Sequence, residues 1–169
     1  YSAEIFRGTI SKGKTTFTTK EKSIYAVILN PGDDIIAAVN NAANGEIIGL
    51  NPGTYDVKDG TGVYANLVIT QKHIGLESTT LDPKTTKVNF KEIKLSGTGA
   101  GITIKGIEFD GTAASADYFL NLTGFSSDSE AAQFTSITVD NSIIHNTNNA
   151  FIRANRGGNN AHKIDFIKV

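Results

Sequence analysis

The 169-residue chain carries 16 Lys and Arg against 17 Asp and Glu, so no global charge draws it to nucleic acid or to an anionic membrane. It has no Cys, which excludes disulfides and thiolate metal sites, and no apolar run nears the roughly 18 residues of a membrane span. The length fits one domain, or one domain with part of another. Gly is abundant and Pro numbers only three, as in a turn-rich β-protein.

In chain order, residues 1–20 read as a hairpin. Tyr1 to Phe6 alternates, Thr15 to Thr19 is β-branched around Phe17, and Gly8 and Ser11-Lys12-Gly13 supply turn residues between them. YSAEIFRG followed by KTTFTTK resembles the last two strands of a fibronectin type III module. An arbitrary hairpin leaning on the main domain is the other reading. The organisation expected is thus a hairpin over 1–20 and a second unit over 21–169. Ile24 to Leu29 is predicted as a strand, ended by Asn30-Pro31-Gly32.

A short helix is expected over 34–43. Asp33 or Asp34 can accept from the unpaired N–H groups of its first turn, and Ile35, Ile36, Val39 and Ala43 share one face. Asn44-Gly45 stops it. No second helix follows.

The remainder carries a repeat. An apolar–x–apolar triplet starts at Ile48, Ile74, Ile102, Ile137 and Ile164, at intervals of 26, 28, 35 and 27 residues. ITIKGIEFDG at 102–111 and ITVDNSIIHN at 137–146 align over their whole length. Further short strands fall between the triplets, at Val88–Phe90, Ile93–Leu95, Tyr118–Leu122 and Ala150–Ile152. About three strands per interval, separated by turn residues, mark a solenoid. The expected fold is all-β: a right-handed parallel β-helix whose coils stack about 4.8 Å apart and pile Ile on Ile, with the helix covering the first coil. The triplet residues, Ile164 and Phe166 included, should be buried. The 35-residue interval holds about eight residues more than its neighbours, expected in a loop at Thr112–Asp117 or Phe125–Phe134.

GEIIGLNPGTYDV, ITIKGIEFDG and ITVDNSIIHNTNNAFIRANR resemble the N-terminal part of the pectin-lyase-like right-handed β-helices. The nearest flavour is the β-helix domains of Bacteroidetes surface proteins, named after pectate lyases or chondroitinase B, which often follow fibronectin type III modules. The resemblance covers residues 30–169. It implies a secreted or cell-surface protein that handles polysaccharide. In lyases of this fold, acidic side chains hold calcium against a uronate carboxylate, and a Lys or Arg removes the adjacent proton. No cofactor is evident from the residues themselves; calcium enters only through the resemblance. No stretch matches the catalytic Lys and Arg motifs of the alginate lyase and chondroitinase B group.

Several constellations carry no chemistry. Ser96–Gly101 is glycine-rich but precedes a strand, so no helix N-terminus would face a phosphate. His73, His145 and His162 lack metal-ligand spacing. Gly124–Asp128 lacks the second glycine of a nucleophile elbow. Asn121-Leu122-Thr123 is a chance glycosylation sequon.

The candidates are outward polar positions. Glu77, Lys105 and Asp140 follow successive triplets and should stack, while Glu108, Asp110 and His145 lie on the adjoining face or turn. Such a column serves ligand binding or is simply a solvated face of alternating charge. Asn141, Asn146, Asn148, Asn149, Asn155, Asn159 and Asn160 either fill coil corners or meet sugar hydroxyls, with Arg153 and Arg156 suited to carboxylates. The glycan-binding candidates are therefore Arg153, Arg156, His145, Asp110, Lys105 and Asp140, with no confident metal ligand and no catalytic group named.

Three functions stand open: a glycan-interacting module of a polysaccharide-processing protein, a calcium-dependent lyase of uronate-containing polysaccharide, or a structural or adhesive spacer. The expected partners are polysaccharide and further coils or domains of the same protein. The absence of Met suits a mature or truncated product. Ile164 to Val169 matches the start of another coil, so a fragment is expected, with catalytic groups beyond Val169.

Overall fold

The computed structural model describes residues 2–7, 10–16, 24–122, 132–133, 135–154 and 164–169. At the N-terminus β1 (Ser2–Arg7) pairs antiparallel with β2 (Ile10–Thr16). The hairpin is present, but its second strand starts earlier than expected. Ser11-Lys12-Gly13 lies inside that strand, where the register shifts between Ile5 and Phe6. A bulge takes one more residue on one strand than on its partner, so turn-prone residues can sit in a ladder.

The main body begins at β3 (Val27–Leu29), shorter than expected because Ile24 lies outside the ladder and is exposed. Helix α1 (Ile35–Asn41) follows. Asp34 caps it, its Oδ1 accepting from the N–H of Ala37 at 2.9 Å. Ile35 and Val39 are its buried side chains, and the helix packs against the strand Leu67–Thr70 of the first coil. Its last turn is capped from a distance. The Lys72 ammonium donates to the carbonyls of Val39, Asn40 and Ala42 at 2.7, 3.0 and 2.7 Å, placing a cation at the negative end of the helix dipole.

Four coils follow. The first contains β4 (Ile47–Leu50), β5 (Gly53–Asp56) and β6 (Leu67–Thr70). The second contains β7 (His73–Ser78), β8 (Thr86–Asn89) and β9 (Ile93–Ser96). The third contains β10 (Gly101–Lys105), β11 (Glu108–Asp110) and β12 (Tyr118–Asn121). The fourth contains β13 (Thr135–Asp140), β14 (Ile143–His145) and β15 (Ala150–Arg153), and β16 (Ile164–Lys168) opens the next. They form three parallel sheets, ordered β3-β4-β7-β10-β13-β16, β5-β8-β11-β14 and β6-β9-β12-β15. This is a parallel β-helix.

Register explains the core. Ile74, Ile102 and Ile137 align, as do Leu76, Ile104 and Val139. The second sheet stacks Tyr55, Val88, Phe109 and Ile144 inward, and the third Leu67, Ile93, Leu120 and Ile152. Each buried side chain contributes about 1.5–3 kcal/mol. Between these columns Phe90, Phe109 and Phe119 meet edge to face, with centroids 5.1–5.7 Å apart, an arrangement that adds to plain burial.

Two expectations about register are corrected. Ile48 pairs with Leu76 rather than with Ile74, an offset of two residues that keeps the same side chains inward. At the other end Ile137 faces Ile167, not Ile164, after an irregularity between Thr135 and Ser136. Ile164 and Phe166 are consequently 38% and 51% exposed. Strand β16 is the outermost of its sheet, so no further coil covers it among the described residues. The extra-loop segment Thr112–Asp117 is a turn between β11 and β12; most of Phe125–Phe134 lies outside the described residues.

Candidate functional site

Because strand side chains alternate, each sheet turns one set inward and presents another outward. The five candidates among the described residues are distributed over all three outer faces rather than gathered in one site.

On the six-stranded sheet, Glu77, Lys105 and Asp140 are in register as expected. Lys105 Nζ lies 3.0 Å from Glu77 Oε1. Glu77 is only 4% exposed, so it is no open ligand position. The hydrogen bond that Lys105 donates to Glu77 chiefly, reinforced by the carboxylate charge, raises the Lys105 pKa above the ordinary lysine value. A lysine held protonated in this way is an ion-pair partner, not a base poised to abstract a proton. The same face is stepped: glycines admit larger groups from the preceding coil. Tyr25 lies where Gly49 would carry a Cβ, Ile47 over Gly75, and His73 over Gly101. The His73 ring reaches Ser136 Oγ from Nδ1 at 3.0 Å and Thr103 Oγ1 from Nε2 at 2.9 Å. Burial lowers its pKa.

The second sheet brings Asp110 and His145 together, with Glu108 and Asn146, which the sequence placed nearby, and Lys87, which it did not single out. Asp56, Asn89, Asp110 and His145 form one outward column, and Thr54, Lys87, Glu108 and Ile143 the next. The polar network is nearly continuous over four coils. Lys58 and Tyr64 donate to Asp56 at 2.8 Å each, and Asn89 Nδ2 donates to Asp56 Oδ1 at 2.8 Å. Lys87 donates to Asp110 Oδ2 at 2.6 Å. Asn146 Nδ2 lies 2.9 Å from both Asp110 Oδ1 and His145 Nδ1. His145 Nε2 is 2.9 Å from Glu108 Oε1. Glu108 accepts and the Asn146 amide donates, so the ring carries its proton on Nε2. Asn146 holds φ 60° and Asn141 φ 42°, the corner role open to Asn.

The carboxylates respond to this setting. Hydrogen bonds from Lys58, then Asn89 and Tyr64, lower the Asp56 pKa to about 2 against a smaller opposing effect of burial. For Asp110 burial pushes upward, but bonds from Lys87, Thr112 and Asn146 outweigh it and hold the carboxyl far below the usual range. Lys87, Asp56, Asn89 and their neighbours had a legible signal. TYD, KVN, EFD and IIH are polar–apolar–polar or related triplets at one position per coil.

Among the described residues, Glu108, Asp110 and His145 form the one cluster whose ligand atoms could share a metal ion. Calcium takes six to eight oxygen ligands, and these oxygens are engaged. Asp110 Oδ1 accepts from the Thr112 N–H, the Thr112 hydroxyl and Asn146, while Oδ2 holds Lys87. The Lys87 ammonium also lies 3.6 Å from Glu108. It already supplies the positive charge, so the trio does not fit calcium.

The third sheet carries Arg153, whose guanidinium lies 5.2 Å from the Tyr118 ring centroid. Lys94, Asn121 and Arg153 share an outward column. Asn121 is 5% exposed and its amide donates to Glu92 Oε2 at 2.9 Å, which removes the sequon's asparagine from the accessible surface. Arg156, His162, Gly124–Asp128, Asn155, Asn159 and Asn160 lie outside the described residues. Asn148 and Asn149 tie the last corner to Ser115 and Asp117. Gly97 and Gly99 have positive φ in the turn before β10, as the turn reading of that segment requires.

No family model matches the chain, and no curated protein does. A solved structure of a PL6-family alginate lyase is similar, with a TM-score of 0.56 at 16% identity over 91% of this chain. The chain spans 22% of the length of that lyase. At this identity the likeness is one of fold: a β-helix of the kind polysaccharide lyases use.

Proposed function

We propose that this chain is a glycan-interacting β-helix module of a secreted or surface-attached polysaccharide-processing protein. The observation that carries the reading is the outer face of β5-β8-β11-β14. Each coil presents there at least one carboxylate, amide, ammonium or imidazole, with Tyr64 alongside, in a track about 14 Å long at 4.8 Å per coil. A repeating polymer of hydroxyl-bearing units suits a repeating track of acceptors and donors. The alginate lyase likeness supports the same class of ligand.

The second reading, a calcium-dependent lyase, is favoured by that likeness alone. Lys105 is unsuited as its base, and the Glu108, Asp110 and His145 trio as its metal site. Any such activity would draw on groups outside the candidates described. One panel tests both readings: alginate, pectin, chondroitin sulfate and neutral dextran, each with calcium or a chelator. Retardation in affinity electrophoresis reports binding, and ultraviolet absorbance reports unsaturated products. Retardation by at least one glycan without product supports the module. Calcium-dependent product supports the lyase. Neither effect on any glycan leaves the spacer.

A further inference from the structure

We infer that the outer face of β6-β9-β12-β15 is a separate track for an acidic polysaccharide. The inference rests on the glycan reading above but places the acidic ligand on a different face. Charge bookkeeping singles this face out. On the other two sheets three cations are committed, Lys58 to Asp56, Lys87 to Asp110 and Lys105 to Glu77, and the one left over, Lys168, stands alone on the outermost strand with no second free cation in its column. Lys72 is spent on the end of α1. Among the described residues, Lys94 and Arg153 enter no ion pair. Their column places them on alternate coils, either side of Asn121, so about 10 Å apart at 4.8 Å per coil. Lys91, exposed at the corner before β9, extends the positive edge. The nearby carboxylate, Glu92, is occupied by the Asn121 amide.

The guanidinium on this face is also held in place. Tyr118 holds Arg153 by its ring, which restrains the guanidinium and keeps its fork available for a carboxylate. An extended acidic chain lying along the solenoid axis would meet Arg153, then Lys94, at successive anionic groups. The second sheet offers that chain no free cation, because Lys58 and Lys87 are already paired with Asp56 and Asp110, and it better suits uncharged sugars.

The test compares wild type with Lys94→Gln, Arg153→Gln, the double variant, Lys94→Glu, and Lys84→Gln as a control at the corner between β7 and β8. Each is run in affinity electrophoresis against alginate, dextran sulfate, dextran and DNA at low and physiological salt, with melting temperatures measured in parallel. Alginate should retard wild type, and the double variant should lose at least tenfold in affinity with an unchanged melting temperature. Arg153→Lys should recover only part, because an ammonium cannot bind bidentately. Should Arg153→Gln lower the melting temperature, Lys94→Glu alone decides, and it should weaken alginate binding more than Lys94→Gln. Dextran sulfate arms distinguish a sulfate track from a carboxylate one. Wild-type retardation that survives in the double variant overturns this face while leaving the glycan reading intact. Equal losses in Lys84→Gln, or DNA bound as well as alginate, reduce the effect to unspecific charge and overturn it. No retardation by any glycan overturns both.

Discussion

The imidazole of His73 occupies the space in which a Gly101 side chain would stand, between the hydroxyls of Ser136 and Thr103. A Cβ at Gly101 would also lie 2.6 Å from the carbonyl oxygen of Ser136. Gly101→Ala should therefore cost about 1–3 kcal/mol as an overpacking change. His73→Ala in the same chain should recover part of the loss, because the ring is one of two obstacles. A urea-denaturation double-mutant cycle measures the coupling. Strict additivity of the two substitutions would show that the ring does not hold this position.

Lys72 and α1 form a second long-range device. Replacing Lys72 by Met keeps most of its aliphatic stem and deletes three donors to the last-turn carbonyls. A loss of about 1–2 kcal/mol is expected, from the dipole interaction and charge-assisted bonds together. The midpoint of urea unfolding reads it. A variant as stable as wild type would mean that solvent serves these carbonyls equally well.

Val39 is fully buried between α1 and the first coil. Val39→Asp places an unpaired carboxylate there, at a cost of several kcal/mol. Thermal melts of Val39→Asp beside the milder Val39→Ala measure this. If Val39→Asp melts with the parent, the helix does not cover the coil.

Acid should weaken the fold in two stages. The His73 pKa is lowered in the folded state by burial. Its contribution is complete above the unfolded value of about 6.5 and declines as pH falls below it. The carboxyls of Asp56 and Asp110 are also depressed, the former to about 2. Their contributions are present above the unfolded value of about 3.9 and are lost as pH falls toward and past the folded values. Urea midpoints measured from pH 8 to pH 2.5 should fall gently near pH 6 and steeply below pH 4. In Asp110→Asn the steep arm should flatten. An unchanged acid arm in that variant would remove Asp110 from the account.

Much of the fold was legible because its physics is periodic. Ile102, Ile104, Ile137 and Val139 had to repeat at coil length to stack, and Phe109 and Ile144 had to fall in step behind them. The helix was visible through Asp34 and the spacing of Ile35 and Val39. Strands β5 and β6 were not singled out: Gly53–Asp56 follows a turn signal, and Leu67-Val68-Ile69 was not matched to Ile93-Lys94-Leu95, on which it stacks in register. Of the candidate residues, the sequence indicated types and approximate positions but not company. The link between Asp110 and His145 spans one coil, and the Lys87 that completes it comes from the coil before.

What the chain determines by itself, then, is the solenoid, its N-terminal helix and the inward columns, since these follow from local periodicity and the need to bury Ile, Leu and Phe. Tertiary structure alone decided the register at the two ends, because a slip of two residues, or a strand with a bare edge, leaves the apolar alternation unchanged. It alone decided which outward charges are spent. Glu77 is neutralised by Lys105, Asp110 by Lys87, and the end of α1 by Lys72, while Lys94 and Arg153 stand unpaired among the described residues. Those pairings depend on distances of a few ångströms between residues tens of positions apart, and stacking, not sequence proximity, sets them.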